Sequence, residues 1–233
     1  MKIITYFLAG ITALVVNTII LAEKVDPDPS RFEKEIAKIV KWDSKNSFPE
    51  GAILFVGSSS IRLWPTSEAF PGKRVINRGF GGSEMSDLIN YYDVLIKPYA
   101  PEKIFVYEGD NDIDSGKTPA QVLEDYKQLV GLIEKDYPGL EIVFISIKPS
   151  KSRWDKWPIM VEANNLIESY TKAHDNLKYV DVASVMLNSN GEPKDIFKDD
   201  DLHLNEEGYK LWTRAIEPYL ETSFFDSLLR IFN

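Results

Sequence analysis

The chain has 233 residues, of which 44% are hydrophobic and 27% are charged, a composition typical of a folded globular protein. It contains no cysteine, which excludes disulfide scaffolds, thiolate metal sites, cysteine nucleophiles and lipoprotein anchoring through cysteine. The formal net charge of −9 would repel a phosphate backbone, so we expect no nucleic-acid partner.

Residues 1–22 differ from the rest of the chain. Lys2 is their only charged residue, and an apolar stretch of roughly 19 residues leads to Ala22, long for a secretion signal and just long enough to span a bilayer. We expect a cleaved signal peptide or an uncleaved N-terminal membrane anchor, and an ordinary core helix is the third alternative. Either of the first two interpretations predicts a periplasmic or secreted protein, associated with the membrane if the segment is retained.

Five apolar runs of strand length follow in the remaining chain. They are Ala52–Val56, Arg74–Asn77, Lys103–Tyr107, Glu141–Ile147 and Lys178–Val182. Most of these runs are continuously apolar, as expected of strands that are buried on both faces of a parallel sheet.

Helical patterns fill the intervals between these runs. Four apolar stripes at helical spacing are centred on residues 32–40, 122–137, 159–170 and 212–220. Ser30 and Glu33 predict a capping box at the first helix, and Thr118 with Gln121 predicts one at the second. Since no repeat or long linker interrupts the alternation, residues 23–233 are predicted to form a single three-layer α/β/α domain with a parallel sheet.

Glycines and polar residues follow the carboxyl ends of the predicted strands, where ligands bind in such sheets. The segments are Gly57-Ser58-Ser59-Ser60, Asn77-Arg78-Gly79-Phe80-Gly81-Gly82-Ser83, Glu108-Gly109-Asp110-Asn111-Asp112 and, near the end of the chain, Asp199-Asp200-Asp201-Leu202-His203. A serine hydroxyl becomes a nucleophile when a neighbouring base accepts its proton. The segments therefore predict one site with a serine nucleophile and a histidine base, although chemistry alone does not distinguish among the three serines.

In these four segments the sequence resembles the SGNH, or GDSL-type, serine esterases. The resemblance extends over about residues 50–220, with the segments in the family's order. It implies a flavodoxin-like parallel sheet of five strands and identifies Ser59, the second residue after Gly57, as the nucleophile. Ser58 stands where the usual Gly-Asp-Ser motif has aspartate, which leaves the position of the nucleophile intact.

The resemblance also assigns the other residues of the site. It implies that His203 is the general base and that Asp200 orients it, a spacing that lets the carboxylate reach the imidazole across one turn of chain. It places Ser59, the backbone N–H of Gly82 and the side-chain amide of Asn111 in the oxyanion hole. Neither a metal nor a cofactor is implied.

Several residues have competing interpretations. Asp199 and Asp201 are alternatives to Asp200 but are expected to be solvated acids, and Asn111 could simply form a turn. His174, the only other histidine, is expected to pack beside a helix or cap it.

Two other motifs near the predicted site depart from known binding patterns, and three further residues are candidates for contacting the substrate. The Gly79–Gly82 cluster lacks dinucleotide-binding spacing, and the acidic run from Asp110 to Asp114 departs twice from the calcium-loop pattern. Arg153 is a candidate for binding an anionic substrate group, and Trp154 and Trp64 are candidates for lining the crevice.

The sequence thus predicts an extracytoplasmic serine hydrolase of carboxylic esters. Its substrate is a small molecule, glycan or lipid: either a short-acyl ester such as an acetylated sugar, or a long-acyl ester cleaved by a lysophospholipase or thioesterase. A non-catalytic carbohydrate- or envelope-binding domain on the same fold is the alternative from a different class.

The tail, residues 221–233, lies beyond the family resemblance. Phe224, Phe225, Leu228, Leu229 and Phe232 would form one apolar stripe if the segment is helical. We expect it to fold back on its own domain, with docking on a second subunit or on a membrane surface as alternatives.

Overall fold

The computed structural model describes residues 26–221. The predicted signal or anchor at residues 1–22, and the tail from residue 222 onward, lie outside the described residues. None of the helices within 26–221 combines the length and the apolar character needed to cross a membrane.

A five-stranded parallel sheet forms the middle layer, with strand order β2-β1-β3-β4-β5. The strands are β1 (Ile53–Gly57), β2 (Val75–Gly79), β3 (Lys103–Tyr107), β4 (Glu141–Ile145) and β5 (Leu177–Val180). All five predicted strands are present, with ends that differ from the prediction by at most two residues. The order is that of flavodoxin-like folds, which confirms the predicted fold class.

Nine α-helices connect and cover the strands within the described residues. They are α1 (Glu33–Asp43), α2 (Ser59–Arg62), α3 (Thr66–Ala69), α4 (Met85–Asn90), α5 (Tyr92–Leu95), α6 (Asp110–Asp114), α7 (Pro119–Asp136), α8 (Trp157–Lys172) and α9 (Glu206–Ile216). The two faces of the sheet bury separate apolar clusters, one shared with α1, α4, α7 and α8 and the other with α9. The sheet is thus covered on both sides, as continuous apolar strands require.

Helix capping agrees with the sequence at one predicted box and differs at the other. Thr118 and Gln121 form the predicted capping box at the start of α7. The predicted Ser30–Glu33 box is wrong, because Asp28 accepts a hydrogen bond from Ser30 N–H and caps a short 3-10 turn that precedes α1. The cap therefore lies two residues earlier than the pattern predicts.

Two predicted core positions are exposed, and one predicted crevice residue is buried. Val40 is 49% exposed and Ile159 is 42% exposed, so each lies at the edge of its helix's apolar stripe. Trp64 is 2% exposed and packs against Phe55 and Trp212. Trp64 is therefore a core residue and does not line the crevice.

Candidate active site

The turn that follows β1 requires glycine. Gly57 has φ +137°, and a Cβ at this position would lie 1.9 Å from the carbonyl oxygen of Tyr107 on β3. A side chain is excluded by both the dihedral angle and the contact. Without one, the chain turns directly from the end of β1 into α2, whose first residue is Ser59.

The three consecutive serines have different environments. Ser58 and Ser60 are 0% and 1% exposed, respectively, whereas Ser59 is half-buried. Only the Ser59 hydroxyl lies within hydrogen-bond distance of a histidine: its Oγ is 3.0 Å from Nε2 of His203. The structure thus identifies Ser59 as the serine beside the histidine, a distinction that residue chemistry alone does not make.

Asp200 holds the imidazole from the opposite side. Its Oδ2 lies 2.6 Å from Nδ1 of His203, and its Oδ1 accepts hydrogen bonds from the backbone N–H groups of His203 (2.9 Å) and Leu202 (3.0 Å). The hydrogen bond from the His203 side chain, followed by those from the backbone, holds the pKa of Asp200 well below its ordinary range. Asp200 therefore remains a carboxylate, which favours the tautomer that carries its proton on Nδ1 and leaves Nε2 free to accept.

The adjacent acids do not contact the imidazole. Among the described residues, neither Asp199 nor Asp201 has a hydrogen bond or ion pair with His203. Asp201 has a left-handed backbone, φ +53°, which turns the chain between Asp200 and His203. Its carbonyl oxygen accepts from Ser152 N–H at 3.1 Å, so Asp201 ties the loop down rather than orienting the base.

Asn111 places its side-chain amide at this edge of the sheet. Its Nδ2 donates to the carbonyl oxygen of Ser83 at 2.8 Å, and its Oδ1 accepts from Nη2 of Arg153 at 3.0 Å. An amide nitrogen carries two hydrogens, so one remains for a substrate oxyanion. The predicted turn-only role does not describe this residue, since its side chain is held at both ends.

The other two predicted oxyanion donors are backbone groups with open surroundings. Gly82 has φ +79° and nothing within 4 Å of the position a Cβ would occupy, and no described residue accepts a hydrogen bond from its N–H. The N–H of Ser59, at the first position of α2, has no partner within the helix. Both N–H groups are therefore free to donate to a ligand.

A buried glutamic acid supports the glycine turn that holds Gly82. Ser83 Oγ lies 2.6 Å from Oε1 of Glu108 and 3.2 Å from the carbonyl oxygen of Phe80. Burial, and after it the charge of Asp112, raises the pKa of Glu108 well above its ordinary value. The Ser83 hydroxyl faces these two oxygen acceptors and so links the glycine turn to the buried Glu108 side chain.

Arg153 faces the protein rather than open solvent. Its side chain is 13% exposed, and its guanidinium lies 3.1 Å from Asp114 and 3.5 Å from Asp110 in addition to its bond to Asn111. Nη2 is engaged by protein partners, whereas Nη1 has no hydrogen-bond partner among the described residues, so the role of Arg153 in binding an anionic substrate group stays a prediction. Trp154 is half-buried and stacks on Trp157 at 6.1 Å, and its role in substrate binding stays a prediction.

Each of the three acidic residues of α6 contacts protein donors. Asp110 pairs with Lys148, and Asp114 pairs with Arg153 and Lys156. Asp112 accepts from Met85 N–H at 3.0 Å. Protein groups thus engage all three carboxylates, and Asp110 and Asp114 share Arg153. Among residues 26–221, no group of His, Cys, Asp and Glu is arranged to hold a metal ion.

His174 lies away from this site. Its Nδ1 is 2.8 Å from the carbonyl oxygen of Tyr170, and its ring packs on that of Tyr170 with centroids 4.3 Å apart. The expectation that it packs beside the third predicted helix is confirmed.

Two buried lysines near the site could not be identified from the sequence. Lys148 is 1% exposed and lies 3.2 Å from Asp110. Lys117 is 3% exposed and is surrounded by carboxylates, with Asp125 at 2.6 Å and Asp112 at 3.3 Å. Lysine is seldom buried, and these partners become neighbours only through the fold. The run of apolar residues before Lys148 is the one local indication of its burial.

Comparison with known proteins places these features in a family. The sequence model of the GDSL-like lipase/acylhydrolase family matches residues 62–211, starting just after Ser59. No curated protein matches the chain.

Solved structures share the fold. A Streptococcus pneumoniae protein provisionally named platelet activating factor is 27% identical, with a TM-score of 0.73 over 82% of this chain and 95% of its own. A GDSL-like lipase from Bacteroides thetaiotaomicron is 17% identical, with a TM-score of 0.66 over 83% of this chain and 97% of its own. A Geobacillus acetyl-xylooligosaccharide esterase is 13% identical, with a TM-score of 0.59 over 77% and 98%. The last two likenesses concern the fold alone.

Proposed function

Since the chain belongs to the GDSL-like lipase/acylhydrolase family and is an ester-hydrolysing enzyme, we propose that it acts through an acyl-enzyme on Ser59. The observation that carries this proposal is the continuous chain of hydrogen bonds from Ser59 through His203 to Asp200. A nucleophile, a base and a group that orients the base are the three parts that such catalysis needs. The alternative of a non-catalytic binding domain gives no reason for this alignment.

The geometry suggests a two-step mechanism. Nε2 of His203 takes the proton of Ser59 Oγ as that oxygen bonds to the ester carbonyl carbon, and the carbonyl electrons move onto oxygen. The free amide hydrogen of Asn111, with the N–H groups of Gly82 and Ser59, stabilises this oxyanion. The tetrahedral intermediate then collapses, the bond to the alcohol oxygen breaks, and protonated His203 donates its proton to the leaving alkoxide.

Water completes the cycle by the same route. His203 accepts a proton from water as the water oxygen attacks the acyl carbon of the Ser59 ester. Collapse of the second intermediate breaks the bond to Ser59 Oγ, which recovers its proton from His203 and releases the carboxylic acid. Asp200 keeps its negative charge throughout and stabilises the imidazolium that forms twice.

Within this reaction we propose that the acyl group is short. The rings behind the nucleophile fill the space there: Trp64, Tyr209 and Trp212 lie with centroids 5.7–6.2 Å apart, and Tyr209 donates to the carbonyl oxygen of Ser60 at 2.9 Å. A long acyl chain needs an apolar cleft that buries most of it, and these rings would have to move to open one on this side. Structural neighbours described as acetyl esterases agree with this proposal.

We further propose that the enzyme works outside the cytoplasm. The basic start and apolar stretch of residues 1–22 support this proposal through their resemblance to a secretion signal or membrane anchor. Sequencing the N-terminus of the mature protein from separated cell fractions tests it. Mature protein that starts near Glu23 in the soluble extracytoplasmic fraction supports a signal, and full-length protein in the membrane fraction supports an anchor.

The proposed reaction is tested with a series of p-nitrophenyl esters from acetyl to palmitoyl, beside acetylated xylan and lysophosphatidylcholine. We expect the highest kcat/KM with the acetyl ester and no measurable hydrolysis by Ser59→Ala. Ser58→Ala is the matched control, because Ser58 Oγ is buried without a hydrogen-bond partner and does not reach His203. Activity retained by Ser59→Ala and lost by Ser58→Ala would refute the assignment, and preference for palmitoyl esters would refute the short acyl group.

A further inference from the structure

We propose that Arg153 is a positioning residue that fixes the amide of Asn111 in the orientation the oxyanion hole needs. This inference rests on the proposed function. A side-chain amide can be turned end for end, which exchanges its donor nitrogen and its acceptor oxygen. Only one of the two orientations presents a hydrogen to the oxyanion.

Two contacts select that orientation. Ser83 offers a carbonyl oxygen, which accepts from Nδ2 of Asn111 at 2.8 Å, and Arg153 offers an N–H, which donates to Oδ1 at 3.0 Å. In the reversed amide, the carbonyl oxygen would face Oδ1 and the guanidinium would face the NH2 group. Two acceptors would then face each other at Ser83, and two donors would face each other at Arg153. The two contacts together therefore exclude the reversed amide.

The guanidinium is itself held rigidly. Asp114 and Asp110 lie 3.1 Å and 3.5 Å from its nitrogens, and the side chain is 13% exposed. Lys156 and Lys148 also contact these two carboxylates, at Asp114 and Asp110 respectively. A guanidinium offers its donors in a fixed planar fork, so the Asp114 contact at Nη2 and the Asp110 carboxylate near Nη1 constrain the plane in which Nη2 also donates to Oδ1 of Asn111.

The segment that carries Arg153 also contacts the loop of the base. Ser152 N–H donates to the carbonyl oxygen of Asp201 at 3.1 Å, and Lys151 Nζ lies 3.7 Å from the Asp201 carboxylate. Asp201 is next to Asp200, which holds His203. The 151–153 segment thus contacts the loop of the base through Ser152 and Lys151, and the oxyanion hole through Arg153.

The inference predicts a defect in the chemical step. Loss of a whole oxyanion donor costs about 10²–10³ in kcat, and a misdirected donor should cost less. We expect Arg153→Met to lower kcat about tenfold with p-nitrophenyl acetate while KM changes less than twofold. Arg153→Lys keeps the charge beside Asp114 but lacks the fork, so it should restore thermal stability more completely than kcat.

Lys156→Met is the matched control. Lys156 contacts the same Asp114 carboxylate as Arg153 but not Asn111, so Lys156→Met should lower kcat clearly less than Arg153→Met does. If Lys156→Met and Arg153→Met lower kcat equally, the effect comes from the charge around Asp114, and the inference is wrong.

A double-mutant cycle with Asn111→Ala decides the matter. If Arg153 acts through the amide, Arg153→Met should cost about tenfold in the wild-type background and less than twofold in Asn111→Ala. Equal costs in both backgrounds would overturn the inference. Failure of the proposed function would look different, since Ser59→Ala would then retain activity whatever the result at Arg153.

Discussion

Replacement of Asp200 by asparagine should inactivate the enzyme by changing the tautomer of His203. In the native loop, Oδ1 of Asp200 accepts from the backbone N–H groups of His203 and Leu202. An asparagine would keep its only acceptor, the carbonyl oxygen, at that position. Its NH2 group would then face Nδ1 of His203, where Oδ2 lies at 2.6 Å in the native protein.

The consequence for catalysis follows from this hydrogen-bond pattern. Facing a donor, Nδ1 must accept, so the proton of the neutral imidazole moves to Nε2 and points at Ser59. The imidazole can no longer take the serine proton. A wrong tautomer in a serine–histidine–aspartate site costs about 10⁴ in kcat, which is about 5.5 kcal/mol of activation free energy.

The assay is steady-state hydrolysis of p-nitrophenyl acetate, with Asp199→Asn and Asp201→Asn as controls that change the same charge. Both controls should keep kcat within about threefold of wild type, because neither side chain contacts the imidazole. Nitrogen NMR of the imidazoles reports the tautomer directly, with His174 as the internal reference. Asp200→Asn with more than a tenth of wild-type kcat, or with its proton still on Nδ1, would refute this reasoning.

Three further predictions concern stability. Gly57→Ala should cost about 3 kcal/mol or more, because its Cβ would meet the Tyr107 carbonyl at 1.9 Å; an unchanged Tm by circular dichroism would contradict this. Burial raises the pKa of Asp112 to about 7, so the folded protein binds its proton more tightly than the unfolded chain does. The stability that comes from this tighter proton binding is therefore lost as pH rises from about 4 to 7. Asp112→Asn cannot ionise, so urea titrations should show that its free energy of unfolding falls by about 4 kcal/mol less than that of the wild type over this range. Parallel pH profiles of the two proteins would refute this prediction. Truncation after Glu221 keeps that residue's contacts with Lys103 and Lys73, and it should lower Tm and leave the protein a monomer, as measured by its mass in solution. A dimer that becomes a monomer on truncation would show that the tail is an interface.

The parallel sheet could be predicted because most of its strands are nearly continuous apolar runs. Lys103–Tyr107 coincides with the predicted strand at both ends, and this strand is buried along its whole length. The long helix α7 was equally accessible, since Thr118 and Gln121 specify its start locally. Such features depend on residues that are close together in the sequence.

The short helices at the strand ends could not be predicted in this way. Helices α2 and α6 have four and five residues, respectively, too few to show a helical period. Their positions are set by the turn at Gly57 and by contacts across the sheet. For the same reason, residue chemistry alone left Ser58, Ser59 and Ser60 open, and the family resemblance selected Ser59. In the structure, the position of His203, 144 residues away, separates the three.

The buried ionic contacts depend even more on the tertiary structure. Arg153 and Asn111 are 42 residues apart, and Lys148 and Asp110 are 38 residues apart. No local pattern links such pairs, so the sequence suggested a substrate-facing role for Arg153 where the structure gives it protein partners. A charged residue beside a site can serve either purpose, and only burial and geometry decide between them.

The central claim is that an acyl group passes through Ser59, and trapping this intermediate tests it most directly. The protein is mixed with p-nitrophenyl acetate, quenched in acid within the first turnover, digested, and analysed by fragmentation mass spectrometry. The account predicts one acetyl group on Ser59, a faster build-up than decay, and no acetylated peptide from Ser59→Ala or His203→Ala. Acetylation of Ser58 or Ser60, or hydrolysis with no acetylated serine in a quench faster than turnover, would contradict it.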